Sequence, residues 1–180
     1  MKQAIVIYTH HNAPGALENC LNSIKGFFKY PIIILYNDNW EIGCIKWMYE
    51  NTDYDEFFLM QDTVEIKDLS LFDKLFIEWL EHSVMIAAKA DSYLVKYRRK
   101  TLDKIQIPIA HNKREAVDYE WDFWNFDYFS MDDNITPFLL PNLGSQDIFE
   151  EKFGKLRQKL ENKYLIKYKG IWNPEMIEQQ

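Results

Sequence analysis

The sequence predicts a single α/β domain whose central sheet is mostly parallel. Three apolar runs, residues 4–8, 32–36 and 57–60, each lead through a polar loop into a segment whose apolar residues recur at helical spacing. A strand followed by a helix, repeated along the chain, is typical of a parallel sheet with helices on its faces. A chain of 180 residues fits one hydrophobic core, so we expect residues 1–180 to form one domain.

Composition and charge narrow the classes of function. Hydrophobic residues make up 47% of the chain and charged residues 27%, which indicates a packed globular protein. The net charge of -7 argues against nucleic acid as a partner, because attraction to phosphates requires clustered Lys and Arg. No run approaches the roughly 20 apolar residues of a membrane span, and the apolar run at residues 4–8 is too short for the h-region of a secretory signal, so we expect neither. With only Cys20 and Cys44 there is no disulfide framework, and we expect a cytoplasmic protein.

The first strand and helix have the clearest pattern. Residues 4–8 form a β-branched run that predicts a buried strand, and a polar loop at residues 9–15 follows it. Asn12 or Ala13 is the expected cap of the next helix, with Pro14 in its first turn. The apolar positions of that helix are Leu17, Cys20, Leu21, Ile24 and Phe28.

The second and third strands repeat this arrangement. The second strand stops at the turn-forming residues Asn37, Asp38 and Asn39, and the third runs into residues 61–63. A short helix is predicted after each strand, the later one starting near Ser70. The apolar positions of these two helices are Ile42, Ile45, Met48 and Tyr49, then Phe72, Leu75, Phe76, Trp79 and Leu80.

The second half predicts fewer regular elements. Residues 84–88, 93–97 and 164–168 have the composition of strands. A helix is predicted after Ser145, with apolar positions at Phe149, Phe153, Leu156 and Leu160. Seven of the eleven residues in the segment 119–129 are aromatic, and acidic residues lie between them. This segment suits either a sugar-binding surface or a core or homodimer interface.

Two amino-terminal segments carry a family resemblance. Residues 5–12 read Ile-Val-Ile-Tyr-Thr-His-His-Asn, and residues 17–24 read Leu-Glu-Asn-Cys-Leu-Asn-Ser-Ile. They resemble the signature of family-2 nucleotide-sugar glycosyltransferases of the GT-A fold, in which a Thr-Tyr-Asn-like turn precedes a helix reading Leu-x-x-Cys-Leu-x-Ser-Ile. Residues 57–64 stand where that family has its acidic Asp-x-Asp motif. The resemblance covers roughly residues 4–75 and implies a GT-A-like three-layer sandwich.

The resemblance implies a donor site at the carboxyl ends of the first three strands, where sheets of this kind bind ligands. Residues 1–75 would then form the half that binds the donor nucleotide, and residues 76–180 the acceptor or lid half. The residues expected to bind the donor are Thr9, His10, Asn12, Asn37, Asp38, Gln61 and Asp62. Simpler interpretations stay open: Asn37 and Asp38 as turn residues, and Asp62 as a carboxylate that accepts backbone N–H groups.

The acidic motif implies a divalent cation that bridges the donor diphosphate, with Asp62 as its ligand. Oxygen ligands suit Mg²⁺ or Mn²⁺. Gln61 and Thr63 stand where outer carboxylates are usual, however, so the metal site is weakened or absent, and Glu65 is the nearest substitute. Without a metal, another cation must neutralise the leaving group. The candidates are Lys96, Arg98, Arg99 and Lys100, which could also form a solvated basic edge.

Asp147 is the candidate general base that takes the proton from the acceptor hydroxyl. The sequence Gly-Ser-Gln-Asp at residues 144–147 is similar to the region where family members place a catalytic Asp at a helix start, although Gln146 replaces the usual Glu. Asp132 and Asp133 are rival bases. Asp147 could instead serve only to stabilise the helix start.

The predicted function is transfer of a sugar from a nucleotide-diphosphate donor to an unidentified hydroxyl on a glycan, lipid or protein acceptor. Two alternatives stay open. One is a GT-A-like binding or interaction protein without catalysis, which the incomplete acidic motif favours. The other is a carbohydrate-recognition module built on the aromatic segment 119–129.

Overall fold

A computed structural model describes residues 1–9, 15–36, 40–75, 94–112, 114–116, 118–119 and 156–170. The elements in chain order are β1 (Gln3–Thr9), α1 (Ala16–Ser23), β2 (Ile32–Tyr36), α2 (Trp40–Asn51), β3 (Glu56–Gln61), β4 (Val64–Ile66), α3 (Ser70–Leu75), β5 (Leu94–Arg98), α4 (Arg99–Leu102), β6 (Leu156–Glu161) and β7 (Leu165–Gly170).

The central sheet has the strand order β2-β1-β3-β5. β1 pairs in parallel with β2 and β3, so that Ile5 lies between Ile32 and Phe58, whereas β5 runs antiparallel to β3. The fold is therefore mixed α/β with a mostly parallel central sheet, and the first three predicted strands are confirmed. The strand predicted at residues 93–97 is confirmed as β5.

Alternation along the strands creates two apolar layers, because successive side chains of a strand point to opposite faces. On one face, Ile5 and Ile7 of β1 pack with α1, which contributes Cys20 and Ile24. On the other face, Val6 and its neighbours pack with the apolar side of α2. Helices therefore cover both faces of the sheet.

The bounds of α1 differ from the prediction. The helix begins at Ala16, and its N-cap is Gly15, whose φ of 78° suits a residue without a side chain. The predicted cap at Asn12 or Ala13 is therefore wrong. The helix also ends before Phe28, whose side chain is 90% exposed. The spacing of apolar residues predicts a longer helix, because Phe28 continues the helical pattern although its side chain is exposed.

A second, antiparallel sheet has the order β4-β7-β6. The strand predicted at residues 164–168 is confirmed as β7. The helix prediction is wrong for Leu156 and Leu160, which lie in strand β6. A spacing of four residues puts two side chains on one side of a helix and also on one face of a strand, and pairing with β7 decides for the strand. β4 is a short strand that the sequence did not predict.

Several predictions fall outside the described residues. They are the strand at 84–88, the aromatic segment beyond Tyr119, the start of the helix after Ser145, and Phe76, Trp79 and Leu80 of the third helix. One domain over residues 1–180, with halves at 1–75 and 76–180, stays a prediction. In the part of the chain that the structure describes, no helix is long and apolar enough to cross a membrane.

Candidate functional site

The strand order β2-β1-β3 places a topological switch point between β1 and β3. The chain leaves β1 for β2 on one side and then crosses to β3 on the other, and open α/β sheets bind ligands at the carboxyl ends of the two strands where such connections diverge. Thr9 is the last residue of β1 and Gln61 the last of β3. We call this end of the sheet the carboxyl edge.

A buried hydrogen bond ties the two strand ends together. Thr9 Oγ1 donates to Asp62 Oδ2 at 2.7 Å, and the Asp62 backbone N–H donates to the Tyr8 carbonyl at 3.0 Å. Asp62 is only 6% exposed. Two of the residues predicted to bind the donor, 53 positions apart in the chain, therefore lie in direct contact.

The Asp62 carboxyl is not an ordinary surface acid. Burial raises its pKa above the usual value of 3.8, because a charged carboxylate loses water that the protein only partly replaces. The hydrogen bond from Thr9 and the charge of Lys167 lower the pKa, but their effect is smaller than that of burial. A buried acid with a perturbed pKa at a ligand-binding edge is typical of functional sites.

Gln61 connects this edge to helix α2. Its Nε2 donates to Glu41 Oε1 at 2.5 Å. Glu41 lies in the first turn of α2, where the helix dipole favours a carboxylate, and is 3% exposed. It was not predicted as a site residue, although its spacing to the buried Cys44, Ile45 and Met48 places it on the inner stripe of the helix.

Lys167 brings a positive charge to the carboxyl edge from the second sheet. Its Nζ donates to Gln61 Oε1 at 2.5 Å and to Thr63 Oγ1. The side chain is 5% exposed, because Lys167 pairs with Val64 on the inner face of β7. The Tyr168 N–H donates to the Thr63 carbonyl at 2.9 Å and fixes this register. Lys167 is not among the site residues that the sequence predicts.

Cys20 lies close to the same charges but is not a nucleophile. Burial raises the pKa of its thiol far above the usual value, and the charges of Asp62 and Glu65 add to the effect. The thiol therefore stays protonated at neutral pH, whereas a reactive cysteine requires the thiolate.

The described residues of this edge do not fit a divalent cation. Gln61 Oε1 and Thr63 Oγ1, on either side of the predicted ligand Asp62, both accept hydrogen bonds from the Lys167 ammonium, whose charge repels a metal ion. Glu65 accepts a hydrogen bond from Asn19 Nδ2 of α1. Over the described ranges, no three His, Cys, Asp or Glu side chains form a group that could hold a metal.

Two of the predicted leaving-group cations lie elsewhere in the sheet. Lys96 and Arg98 are buried beside Glu56, with Nζ and Nε at 3.6 and 2.5 Å from its Oε1, so they are not a solvated basic edge. Burial lowers the pKa of Lys96 to about 8. Glu56 begins β3 and Gln61 ends it, and the length of the strand separates them by roughly 17 Å.

Arg99 has a structural role at the end of α2. Its guanidinium donates to the carbonyls of Tyr49, Thr52 and Tyr54 at 2.9, 2.5 and 3.0 Å. These are carbonyls at and just after the helix terminus, where intrahelical donors run out. Lys100, the fourth candidate, is exposed.

The predicted site is therefore described in part. Thr9, Gln61 and Asp62 lie together at the carboxyl edge. Five predicted site residues, together with the rival bases Asp132 and Asp133, lie outside the described residues, so their roles stay predictions. Those five are His10, Asn12, Asn37, Asp38 and Asp147.

Comparison with known proteins finds a weak structural likeness. No family model and no curated protein sequence matches the chain. A solved structure of A197 from STIV has a TM-score of 0.44 and 14% identity, covering 60% of this chain and 70% of that one. A glycosyltransferase involved in the glycosylation of the major capsid of PBCV-1 also has a TM-score of 0.44, with 8% identity, covering 71% of this chain and 68% of that one. A likeness at this level carries no argument about function.

Proposed function

We propose that this protein is a glycosyltransferase of the GT-A type, which moves a sugar from a nucleotide-diphosphate donor to a hydroxyl on a glycan, lipid or protein. The observation that carries the proposal is the hydrogen bond between Thr9 and Asp62 at the switch point between β1 and β3. A sheet of this kind binds its ligand at that point. The resemblance of residues 4–75 to family-2 transferases supplies the activity class.

In this proposal the donor lies across the carboxyl edge. Asp62 accepts a hydrogen bond from a donor hydroxyl, because a carboxylate held in a low-dielectric site is a strong acceptor. Thr9 fixes the orientation of that carboxylate through its 2.7 Å hydrogen bond. The side chains expected to complete the nucleotide site are those of His10, Asn12, Asn37 and Asp38, which follow β1 and β2 in the sequence.

The proposed reaction exchanges one C–O bond for another. The bond from the anomeric carbon to the diphosphate breaks, and a bond from that carbon to the acceptor oxygen forms. The acceptor proton passes to a general base, for which we propose Asp147. The departing diphosphate takes the electron pair, so positive charge beside it stabilises the transition state.

Calorimetric titration tests the donor site. We expect the protein to bind at least one of UDP, GDP, ADP and dTDP, and the matching sugar nucleotide. Asp62→Asn should weaken binding by about tenfold, because the amide cannot supply the charge of a carboxylate acceptor. Asp53→Asn is the control, since Asp53 is an exposed carboxylate near the start of β3. The absence of affinity for every nucleoside diphosphate would refute the proposal.

Turnover separates a transferase from a binding protein of the same fold. A transferase should move the sugar of the bound sugar nucleotide to water or to an added acceptor, and it should release the nucleoside diphosphate. Asp147→Asn should abolish that release and leave donor affinity unchanged, because a general base acts on the acceptor. Tight donor binding with no release under any condition would favour the binding protein.

A further inference from the structure

We infer that Lys167 supplies the positive charge that neutralises the donor diphosphate, so that donor binding requires no divalent metal. This inference rests on the proposed function, because it assigns a role within the same site. Lys167 takes the role that the sequence suggested for a metal ion or for the basic residues Lys96, Arg98, Arg99 and Lys100.

The position of the ammonium is the first argument. Lys167 Nζ bonds to the side chains of Gln61 and Thr63, the two residues on either side of Asp62. These are the positions where the resembling family carries the outer carboxylates of its metal motif. In this chain a neutral amide and a hydroxyl stand there instead, and both accept hydrogen bonds from the Lys167 ammonium. The positive charge therefore comes from the chain itself.

The energetics of burial are the second argument. Lysine is almost never fully buried unless it is paired, because burying an isolated charge is costly. Lys167 is 5% exposed, and its acceptors include two neutral side-chain oxygens, those of Gln61 and Thr63. These two hydrogen bonds orient the ammonium towards the residues that end β3. Asp62 and Lys167 attract each other electrostatically, which also keeps the cation at the carboxyl edge.

The support of Lys167 by a strand is the third argument. Its backbone pairs with Val64 of β4, which follows β3 after the turn at Asp62 and Thr63. The ammonium therefore has a fixed position relative to Thr9 and Asp62. A charge that is oriented in advance stabilises a developing anion better than a mobile one, because no reorganisation is needed.

Three of the four basic residues suggested for this task are engaged elsewhere, and the fourth, Lys100, is exposed. Lys96 and Arg98 contact Glu56 at the opposite edge of the sheet, and Arg99 binds the backbone after α2. Within the ranges that the structure describes, Lys167 is the cation that contacts the residues ending β3.

The experiment compares nucleoside diphosphates with their nucleosides. UDP, GDP, ADP, dTDP and the four nucleosides are titrated calorimetrically in EDTA and then with Mn²⁺ or Mg²⁺. Wild-type protein should bind its diphosphate equally well in EDTA and in metal. Lys167→Met should lose on the order of 10- to 100-fold in diphosphate affinity and keep its nucleoside affinity, because only the diphosphate contacts the ammonium. Lys167→Arg should recover part of the loss.

Lys67→Met is the matched control. Lys67 follows β4 directly and pairs with Glu161 at 2.5 Å, but it is exposed. Its substitution should change neither affinity.

Three results would overturn the inference and leave the proposed function standing. One is diphosphate affinity that rises by about tenfold or more when metal replaces EDTA, the scale of a strong charge contact. Another is an equal loss of nucleoside and diphosphate affinity in Lys167→Met, which would make the residue structural. If Lys167→Met does not fold, Lys167→Gln is titrated in its place. Unchanged diphosphate affinity in whichever of these variants folds is the third result. Failure of the wild type to bind any nucleoside diphosphate would instead remove the proposed function itself.

Discussion

Asp62 shows at the scale of one residue how a site can cost stability. Its carboxyl is buried, and its pKa is raised because burial outweighs the hydrogen bond from Thr9 and the charge of Lys167. A protein selected only for stability would gain by placing a neutral side chain there. Sites that bind ligands commonly keep such unfavourable groups, so the position of Asp62 agrees with a functional role.

Asp62→Asn should therefore raise the free energy of unfolding at pH 7 by about 0.5–2 kcal/mol, the usual range for a single stabilising substitution. The folded-state pKa of Asp62 lies above the unfolded value, so the wild type loses stability as the pH rises through the folded pKa. The gain should shrink as the pH falls towards 3.8 and should vanish well below that value, where the carboxyl is protonated in both states. Urea unfolding of the wild type and of Asp62→Asn between pH 4 and 8 measures this difference in the free energy of unfolding.

Asp53→Asn is the control for this prediction. The pKa of Asp53 is lowered, chiefly by its hydrogen bond with Lys2, and both side chains are exposed. Its substitution should give no gain at neutral pH. A stability gain for Asp62→Asn that grew towards acid pH, or no gain at any pH, would show that burial of the charged Asp62 carboxylate does not destabilise the fold.

Helix α2 shows at the scale of an element how a distant residue completes a terminus. The last carbonyls of a helix lack intrahelical donors. Arg99, which follows β5, reaches across and donates to the carbonyls of Tyr49, Thr52 and Tyr54. A planar guanidinium can serve several acceptors at once. This role explains why a residue in a basic run is turned towards the protein.

Arg99→Ala should lower the free energy of unfolding by about 2–3 kcal/mol, because it leaves carbonyls without donors and removes hydrogen bonds to a charged group. Arg99→Lys should recover only part of the loss, since an ammonium lacks the planar fork. Lys100→Ala, next to it and exposed, should change stability by no more than about 0.5 kcal/mol. Equal effects of Arg99→Ala and Lys100→Ala in thermal or urea unfolding would contradict this account.

The strands differ in how far the sequence could predict them. β1, β2 and β3 are continuous apolar runs, and each was predicted to within about two residues of its bounds. β4 has three residues with Glu65 in the middle, which is too short to give a pattern. The sequence predicts a helix at Leu156 and Leu160 of β6, because their spacing fits a helix as well as a strand and only the pairing with β7 distinguishes the two.

At the scale of the whole molecule, the site too depends on pairing between distant strands, which the sequence does not reveal. The positions of Thr9, Gln61 and Asp62 follow from the sequence, because each residue ends or directly follows an apolar strand and parallel strands end at one edge. Their role in binding stays a prediction. Lys167 comes 106 residues after Gln61 and reaches it only because β7 pairs with β4. The available signal was that Lys167 comes two residues after Leu165 in a predicted strand. Residues two apart lie on the same face of a strand, so Lys167 shares the face of an apolar residue. That signal indicates burial but does not name the partner.

The two sheets therefore meet at the carboxyl edge. The central sheet supplies Thr9 and Asp62, and the second sheet supplies Lys167. β3 continues through the turn at residues 62–63 into β4, so one stretch of chain belongs to both. In the proposed function, a nucleoside diphosphate binds where these parts join.

Chemical-shift perturbation tests that claim most directly. In a ¹⁵N-labelled sample, the nucleoside diphosphate that binds in calorimetry should shift the backbone amides of Thr9, Asp62 and Lys167. The amides of Asp55 and Arg98, at the opposite edge of the sheet, should stay in place. Shifts that centre on Asp55 and Arg98 and spare Thr9, Asp62 and Lys167 at saturation would contradict the account.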